Sequence, residues 1–247
     1  MHTASTAASQ QPIGRTATTQ AMASSRVLQQ IALLLLVAAA ATHAATITVV
    51  NKCSYTVWPA ALPGGGVRLD PGQTWPLTMP AGTAAARVWP RTGCTFNGSG
   101  VGRCITGDCA GKLACALSGE QPTTIAEYTL GNGDPDFFDL SLVDGFNVPM
   151  RFQPLDGAPC RAASCSVDIT KECLPELKVA GGCASSCGKF GGDTYCCRGQ
   201  FAVNCPPTNY SMFFKSKCPD AYSYAKDDKT STFTCPTGTN YQIVLCP

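Results

Sequence analysis

Carboxylates are the side chains with which this chain could carry out acid–base chemistry. It has 16 Asp and Glu but only two histidines, His2 and His43, and both precede the first cysteine, Cys53. A domain that follows His43 contains no imidazole, which excludes a Ser-His-Asp triad, a Cys-His pair and a His-ligated metal. A general acid or base must then come mainly from Asp and Glu.

Two of these carboxylates belong to the clearest predicted strand. Residues 137–146 read FFDLSLVDGF. Alternation places Phe138 and Leu140 on one face and Asp139 on the opposite face. Asp144 precedes a glycine in a typical turn dipeptide, so we expect it to end the strand. Taken singly, each has a structural interpretation: Asp139 as a solvated sheet residue and Asp144 as a turn residue.

A short apolar run precedes this region. Residues 31–41 read IALLLLVAAAA, follow Arg26 and are followed by small residues. This layout is typical of a secretory signal, and the run is shorter than the about 20 residues of a membrane span. We predict that residues 1–44 are removed and that the mature protein begins at Ala45. Met22 is an alternative start residue, and an N-terminal helix of the folded domain is the alternative interpretation.

Removal of the signal changes the charge of the protein. Residues 1–44 contain Arg15 and Arg26 but no Asp or Glu, so Lys and Arg fall from 18 to 16 and equal the 16 acidic residues. A neutral protein has no strong electrostatic attraction to nucleic acid or anionic membranes. We therefore expect no nucleic-acid partner, and the sequence predicts no transmembrane segment.

The cysteines indicate a disulfide framework. All 16 follow Ala45, and an even number in an exported chain predicts eight disulfides and no free thiol. A zinc site is disfavoured because no CxxC spacing occurs and no histidine remains. Spacing does not determine the pairing, although the adjacent Cys196 and Cys197 should bond to different partners. The 24 Gly and 18 Pro indicate many turns and short strands.

Residues 100–115 resemble the signature of a known family. They read GVGRCITGDCAGKLAC and match GxGxCxTGDCxGxxxC of the thaumatin family. Further agreement lies at residues 45–47, 87–89, 126–128, 137–150, 218–224 and 246–247. The resemblance covers the whole predicted mature chain and all its cysteines. It is to the long, osmotin-like members of plant pathogenesis-related family 5.

This resemblance implies a mainly β fold. A flattened β-sandwich would comprise residues 45–91, 129–166 and 219–247, with a small two-disulfide module at 92–128 and a disulfide-rich lobe at 167–218. Helix-like fragments are predicted in the lobe at 176–178 and 211–217. The implied disulfide pairs are Cys53–Cys246, Cys94–Cys104, Cys109–Cys115, Cys160–Cys235, Cys165–Cys218, Cys173–Cys183, Cys187–Cys196 and Cys197–Cys205.

The resemblance also implies an acidic cleft. Its matching residues are Arg87, Glu127, Asp139, Asp144 and Asp220. We expect Glu127 to come from a helix-like or loop segment and Asp220 from the end of the lobe. Converging carboxylates raise one another's pKa, so that one can stay protonated, and Arg87 would limit their repulsion.

The implied function is that of a secreted plant defence protein. It would act as a monomer in the apoplast, or in the vacuole, and bind fungal β-1,3-glucan or a surface glycoprotein. The cleft would either bind only or also hydrolyse slowly, with Glu127 as general acid and Asp144 as base or nucleophile. No metal or cofactor is expected. The alternatives are a non-enzymatic binding or membrane-perturbing protein, and a protease or amylase inhibitor.

The sequence contains two N-glycosylation sequons but does not determine whether they carry glycans. The sequons are Asn97-Gly98-Ser99 and Asn209-Tyr210-Ser211.

Overall fold

The structure is a computed structural model that describes residues 44–247. Residues 1–43, all but the last residue of the predicted secretory signal, therefore lie outside the described residues. Two larger sheets form the framework: one has the order β11-β10-β15-β1-β4 and the other β14-β9-β8-β5-β2-β3. Two-stranded hairpins, β6-β7 and β12-β13, complete the described sheets. The strands are β1 (Ala45–Asn51), β2 (Ala60–Leu62), β3 (Gly65–Gly66), β4 (Thr74–Met79), β5 (Ala86–Trp89), β6 (Thr95–Phe96), β7 (Gly102–Arg103), β8 (Ile125–Thr129), β9 (Asp136–Ser141), β10 (Met150–Pro154), β11 (Ala163–Cys165), β12 (Lys178–Val179), β13 (Gly182–Cys183), β14 (Phe233–Cys235) and β15 (Tyr241–Leu245).

The helices of residues 44–247 are short and follow β11 in the chain. They are Ile169–Glu172, Pro175–Leu177, Ser186–Phe190, Gly192–Cys196, Gly199–Phe201, Asn209–Lys217 and Asp228–Ser231. Those at Pro175–Leu177 and Gly199–Phe201 are 3₁₀ helices. The predicted helix-like fragments correspond to Pro175–Leu177 and Asn209–Lys217.

The two larger sheets pack face to face through aromatic side chains. The Phe138 ring of β9 lies 4.9 Å from Phe152 of β10 and 5.3 Å from Tyr241 of β15, measured between centroids. Tyr128 of β8 contacts Phe152 edge-on at 6.1 Å. All four rings are buried. Such tilted and edge-on arrangements add to the free energy gained from burying their area. The expected mainly β sandwich is confirmed.

The first and last strands lie side by side in the five-stranded sheet. β1 pairs with β15 in parallel, with Ile47 opposite Tyr241 and Asn51 opposite Leu245. The disulfide Cys53–Cys246 joins the ends of these strands across a sequence separation of 193 residues. The two ends of the described chain are thus fixed to each other by strand pairing and by a covalent bond.

The structure contains eight disulfides, and no cysteine is free among the sixteen, all of which it describes. The pairs are those that the family resemblance implies. Three of them, Cys53–Cys246, Cys160–Cys235 and Cys165–Cys218, join distant parts of the chain. The other five close loops with sequence separations of 6 to 10 residues.

Glu127 lies in the middle of β8, not on the helix-like or loop segment that we expected. β8 (Ile125–Thr129) pairs with β5 on one side and β9 on the other. The last residues of the small module predicted at 92–128 therefore belong to the six-stranded sheet. The physical reason is that Ala126 and Tyr128 are buried in the core, and a half-buried pleated surface favours such an alternating segment.

The small module is attached to the sheet by a buried arginine. The Arg91 guanidinium is fully buried and donates to the carbonyls of Trp58, Lys112 and Leu113 at 2.7–2.8 Å. Burial lowers the pKa of Arg91 to about 10, and the negative charge of Asp108 opposes that shift. Asp108 is also buried and accepts hydrogen bonds from backbone amides of the signature. The Asp of the signature thus has a structural role.

We expect Arg91→Met to lower the free energy of unfolding by about 3 kcal/mol, because three backbone carbonyls lose a charged hydrogen-bond donor and the buried Asp108 loses a nearby positive charge. Arg68→Met is the matched control, since Arg68 pairs with Asp70 at 2.8 Å on the exposed surface. An exposed pair contributes about 0–1 kcal/mol. Unfolding of wild type and of both variants in guanidinium chloride, with the disulfides intact, measures the two changes in the free energy of unfolding. Equal midpoints would show that the Arg91 contacts are not needed for stability.

Candidate functional site

A cavity of about 430 Å³ opens on the six-stranded sheet. Side chains of β5, β8 and β9 line its floor, and the segments that contain Asp144 and Tyr222 line its sides. Four of the five residues predicted for the acidic cleft are among the lining residues. They are Arg87, Glu127, Asp139 and Asp144.

Strand register brings three of these residues into one row. Arg87 of β5 lies opposite Glu127 of β8, and Glu127 lies opposite Asp139 of β9. Opposed residues of antiparallel strands point to the same face, with Cβ atoms about 4.5–5.5 Å apart. The Arg87 guanidinium is 3.4 Å from Glu127 Oε1. The row therefore presents one cation and two carboxyl groups on one face of the sheet.

Asp139 is the carboxyl group with the strongest tendency to hold a proton. Its Oδ1 is buried and has no hydrogen-bond partner within the described residues. Burial, together with the nearby carboxylates of Glu127 and Asp228, raises the pKa of Asp139 to about 8. A neutral Asp139 removes the like-charge repulsion that the register would otherwise create with Glu127.

Glu127 also binds its proton more tightly than an ordinary glutamate. Burial raises the pKa of Glu127, the charge of Arg87 opposes this, and Asp144 adds to it. Asp144 itself lies at a tight turn after β9, where its carboxylate accepts a hydrogen bond from Gln121 Nε2 at 2.5 Å. The next residue, Gly145, has a φ of 89°. A Cβ there would lie 2.7 Å from the carbonyl oxygen of Cys183, so the turn needs glycine.

The structure does not bring Asp220 into this cavity. Its carboxylate accepts hydrogen bonds from Arg161 Nη1 at 2.8 Å and from the backbone amide of Ser164 at 3.1 Å. Ser164 belongs to β11, the edge strand of the other sheet. Asp220 thus holds the end of the lobe against the five-stranded sheet.

Three further residues contribute to the cavity or to its electrostatics. Phe137 lines it with 47% of its surface exposed, and it shares a strand face with Asp139. Tyr222 lines the opposite side, and its hydroxyl donates to Asp228 Oδ1 at 3.0 Å. Burial chiefly raises the pKa of Tyr222 to about 12. The alternation of β9 already indicated the position of Phe137, whereas no local pattern indicated Tyr222 or Asp228.

The arrangement is suited to a neutral ligand rich in hydroxyl groups. Glu127 and Asp144 can accept hydrogen bonds from hydroxyls, Arg87 and a protonated Asp139 can donate, and the Phe137 ring offers an apolar face. Among residues 44–247, no group of three or more His, Cys, Asp or Glu side chains is arranged to hold a metal ion. Over the same residues, no helix is long and apolar enough to cross a membrane.

The raised pKa of Asp139 predicts how stability changes with pH. Between about pH 4 and pH 8 the folded state retains a proton that the unfolded chain has lost, so the free energy of unfolding falls as pH rises through this range. Asp139→Asn removes this contribution. Since the pKa of Asp139 is raised by about four units and one unit corresponds to about 1.4 kcal/mol, we expect the variant to be more stable than wild type by on the order of 5 kcal/mol at pH 8.

At pH 4 most of that advantage should disappear, because folded Asp139 is then protonated and the unfolded-chain Asp, with a pKa of about 3.9, is only about half ionised. Denaturant unfolding at pH 4, 6 and 8 measures the difference. An equal effect of the substitution at all three pH values would contradict the assignment of a retained proton to Asp139.

The packed sheets, the eight disulfides and the carboxylate-lined cavity define a disulfide-stabilised β-sandwich protein with an acidic cleft. The profile of the Thaumatin family matches residues 51–247, and the chain belongs to that family. It is a thaumatin-like pathogenesis-related defence protein, as the signature at residues 100–115 implied.

Relatives of this class match most of the chain. A pathogenesis-related thaumatin-like protein 3.7 of Cryptomeria japonica is 59% identical over 199 residues, which cover 80% of this chain and 86% of that protein. A maize protein named alpha-amylase/trypsin inhibitor is 55% identical over 206 residues, covering 82% of this chain and 100% of that protein. A β-1,3-glucanase domain from Clostridium beijerinckii is 10% identical with a TM-score of 0.54, over 82% of this chain and 98% of that chain, which shows a shared fold.

Proposed function

We propose that this protein is a secreted antifungal defence protein whose acidic cleft binds β-1,3-glucan of fungal cell walls. The row of Arg87, Glu127 and Asp139, with Phe137 beside it, is the observation that carries this proposal. A glucan offers many hydroxyls to the polar row and an apolar ring face to Phe137. The cavity is open along the sheet, so a chain of sugars can enter it without a change in the fold.

The charge of the cleft favours a neutral polysaccharide over an anionic ligand. Glu127, Asp144 and Asp228 lie in or beside the cavity, and Arg87 is the one basic residue among those that line it in the described part of the chain. This excess of carboxylates disfavours phosphate groups of nucleic acids and anionic lipids. It therefore supports carbohydrate binding over membrane perturbation.

Secretion is part of the same proposal. The eight disulfides of the fold are typical of an oxidising compartment such as the plant apoplast. The predicted signal at residues 1–44 supplies the route, with Ala45 as the first mature residue. That residue opens β1, so cleavage before it would leave the first strand complete.

The cleft also holds the groups that slow endo-hydrolysis would use. Glu127 has a raised pKa and serves as general acid, and Asp144 serves as base or nucleophile. Protonated Asp139 would then be a hydrogen-bond donor to the sugar. Binding does not require this chemistry, so the two activities can be tested separately.

Titration calorimetry with soluble β-1,3-glucan tests the binding proposal. We expect Phe137→Ala to weaken binding about tenfold, since an aromatic contact contributes about 0.5–1.5 kcal/mol beyond the area it buries. Asp220→Asn is the matched control, because that carboxylate lies outside the cavity, and it should bind as wild type does. No binding by the folded wild type, or equal loss in both variants, would contradict binding in this cleft.

Enzyme inhibition is a second candidate function. It is favoured by the identity of 55% to the maize protein named alpha-amylase/trypsin inhibitor, all of which is covered by this chain. Assays of trypsin and of α-amylase with stoichiometric amounts of the pure protein distinguish the two candidates. Inhibition that survives Phe137→Ala would place the inhibitory surface outside the cleft.

A further inference from the structure

The sequon at Asn97 lies at the tip of the small hairpin formed by β6 and β7. Thr95 pairs with Arg103 in this hairpin, and the disulfide Cys94–Cys104 closes its base. Backbone hydrogen bonds also hold the tip, because Asn97 N donates to the carbonyl of Val101 at 2.9 Å. The sequon therefore sits on a well-defined exposed turn and not on an irregular tail.

The Asn97 carboxamide has a fixed orientation. Its Oδ1 accepts hydrogen bonds from the backbone amides of Ser99 and Val101, both at 3.0 Å. Its Nδ2 donates no hydrogen bond to any residue in the range 44–247. The nitrogen to which a sugar is attached thus contributes nothing to the fold, while the oxygen on the same group holds the turn.

Space around this turn is open. Asn97, Gly98 and Ser99 are all exposed. A Cβ built on Gly98 would meet no atom within 4 Å. Asn97 is also absent from the residues that line the acidic cleft. A bulky group on Nδ2 would therefore displace nothing in the described fold and would leave the cleft lining unaltered.

The second sequon differs in its middle and hydroxyl residues, which are packed into the lobe, although its acceptor Asn209 is also exposed. Ser211, its hydroxyl residue, is 3% exposed, and its Oγ bonds both the amide and the carbonyl of Thr208 at the start of the helix Asn209–Lys217. The ring of its middle residue, Tyr210, packs tilted against Phe190 and edge-on against Tyr195, with ring centroids 5.2 and 5.9 Å apart. Once the protein has folded, the motif that defines this acceptor is part of the packing of the lobe.

We propose that Asn97 carries an N-linked glycan in the secreted protein; this rests on the proposed export of the chain. An oligosaccharide is transferred from a lipid-linked diphosphate donor. A bond forms between Asn97 Nδ2 and C1 of the first sugar, the bond from C1 to the diphosphate breaks, and Nδ2 loses one proton. The glycan then extends from the tip of the hairpin into solvent.

Secretion of the full chain by cultured plant cells tests this proposal. After reduction, trypsin separates the two sequons, because cleavage at Arg91 and Arg103 releases residues 92–103 and cleavage at Arg198 and Lys215 releases residues 199–215. We expect the peptide 92–103 to carry a glycan mass, and peptide N-glycosidase to convert Asn97 to Asp. Asn97→Gln and Ser99→Ala should both abolish the shift in gel mobility. Asn209→Gln should leave the Asn97 glycan in place.

A second arm separates this proposal from the proposal of export. The full chain is also expressed behind an established export leader, so that it reaches the secretory pathway in either case. Failure of the natural chain alone to appear in the medium would contradict export but not the Asn97 assignment. Secreted, disulfide-bonded protein with an unmodified peptide 92–103 in the leader arm would overturn the Asn97 assignment.

Discussion

Glu127→Gln is expected to reduce the release of reducing ends from β-1,3-glucan by about 10²–10⁴-fold, the usual contribution of a positioned general acid. The amide keeps the shape of the side chain and can still bond Arg87, which lies 3.4 Å from the carboxylate. It cannot donate a proton to the leaving oxygen. We therefore expect the variant to bind glucan with an affinity within a few-fold of wild type.

Two measurements separate hydrolysis from recognition. Reducing ends are counted after incubation with soluble β-1,3-glucan, and binding is measured by calorimetry on the same samples. Asp220→Asn again serves as the control, since its carboxylate pairs with Arg161 outside the cavity. If Glu127→Gln retains full antifungal activity, the defence function depends on recognition and the proposal of hydrolysis must be dropped.

Reduction of the disulfides is expected to unfold the protein at 37 °C. The lobe at 167–218 contributes no strand to either of the two larger sheets. Its large buried apolar side chains are Ile169, Leu177 and Phe214. Loss of one native disulfide commonly costs about 2–5 kcal/mol, whereas the total stability of a domain is about 5–15 kcal/mol. The loss of several disulfides therefore exceeds what packing alone can supply.

Thermal unfolding with and without reductant, together with a thiol titration, measures this effect. Two double variants, in which both cysteines of one disulfide are replaced by serine, compare the stability lost with a long closed loop and with a short one. In the chain-entropy model the Cys53–Cys246 bond, with a separation of 193 residues, contributes about 5 kcal/mol, and Cys197–Cys205, with a separation of 8, contributes about 3 kcal/mol. Similar midpoints for oxidised and fully reduced protein would show that packing, not cross-linking, stabilises the lobe.

Local patterns predicted β9, one strand of the cleft, but not β8, the strand that carries Glu127. Alternation in residues 137–146 separated the Phe138 face from the Asp139 face, because side-chain direction follows directly from the pleat. The segment around Glu127 is too short for alternation to identify it, and its neighbours Ala126 and Tyr128 mark it as a strand only because they are buried between the two packed sheets.

Asp220 and Tyr222 show a second limit. They are two residues apart, yet one bonds Arg161 and the other lines the cleft. Which of them enters the cavity depends on how the lobe docks on the edge strand β11, a long-range arrangement that no local pattern encodes. The disulfide pairs have the same character, since spacing left them open and only the family resemblance implied them.

The position of β15 also determines when this protein can fold. Strand β15 (Tyr241–Leu245) is the last of the described strands to be synthesised, yet it lies between β1 and β10 inside the five-stranded sheet. Until it is synthesised, β1 lacks its parallel neighbour and β10 lacks its antiparallel one. Contacts of such high sequence separation form slowly. The five-stranded sheet can therefore close only after β15 has been synthesised, and a stop codon before Tyr241 would remove an inner strand of that sheet rather than its edge.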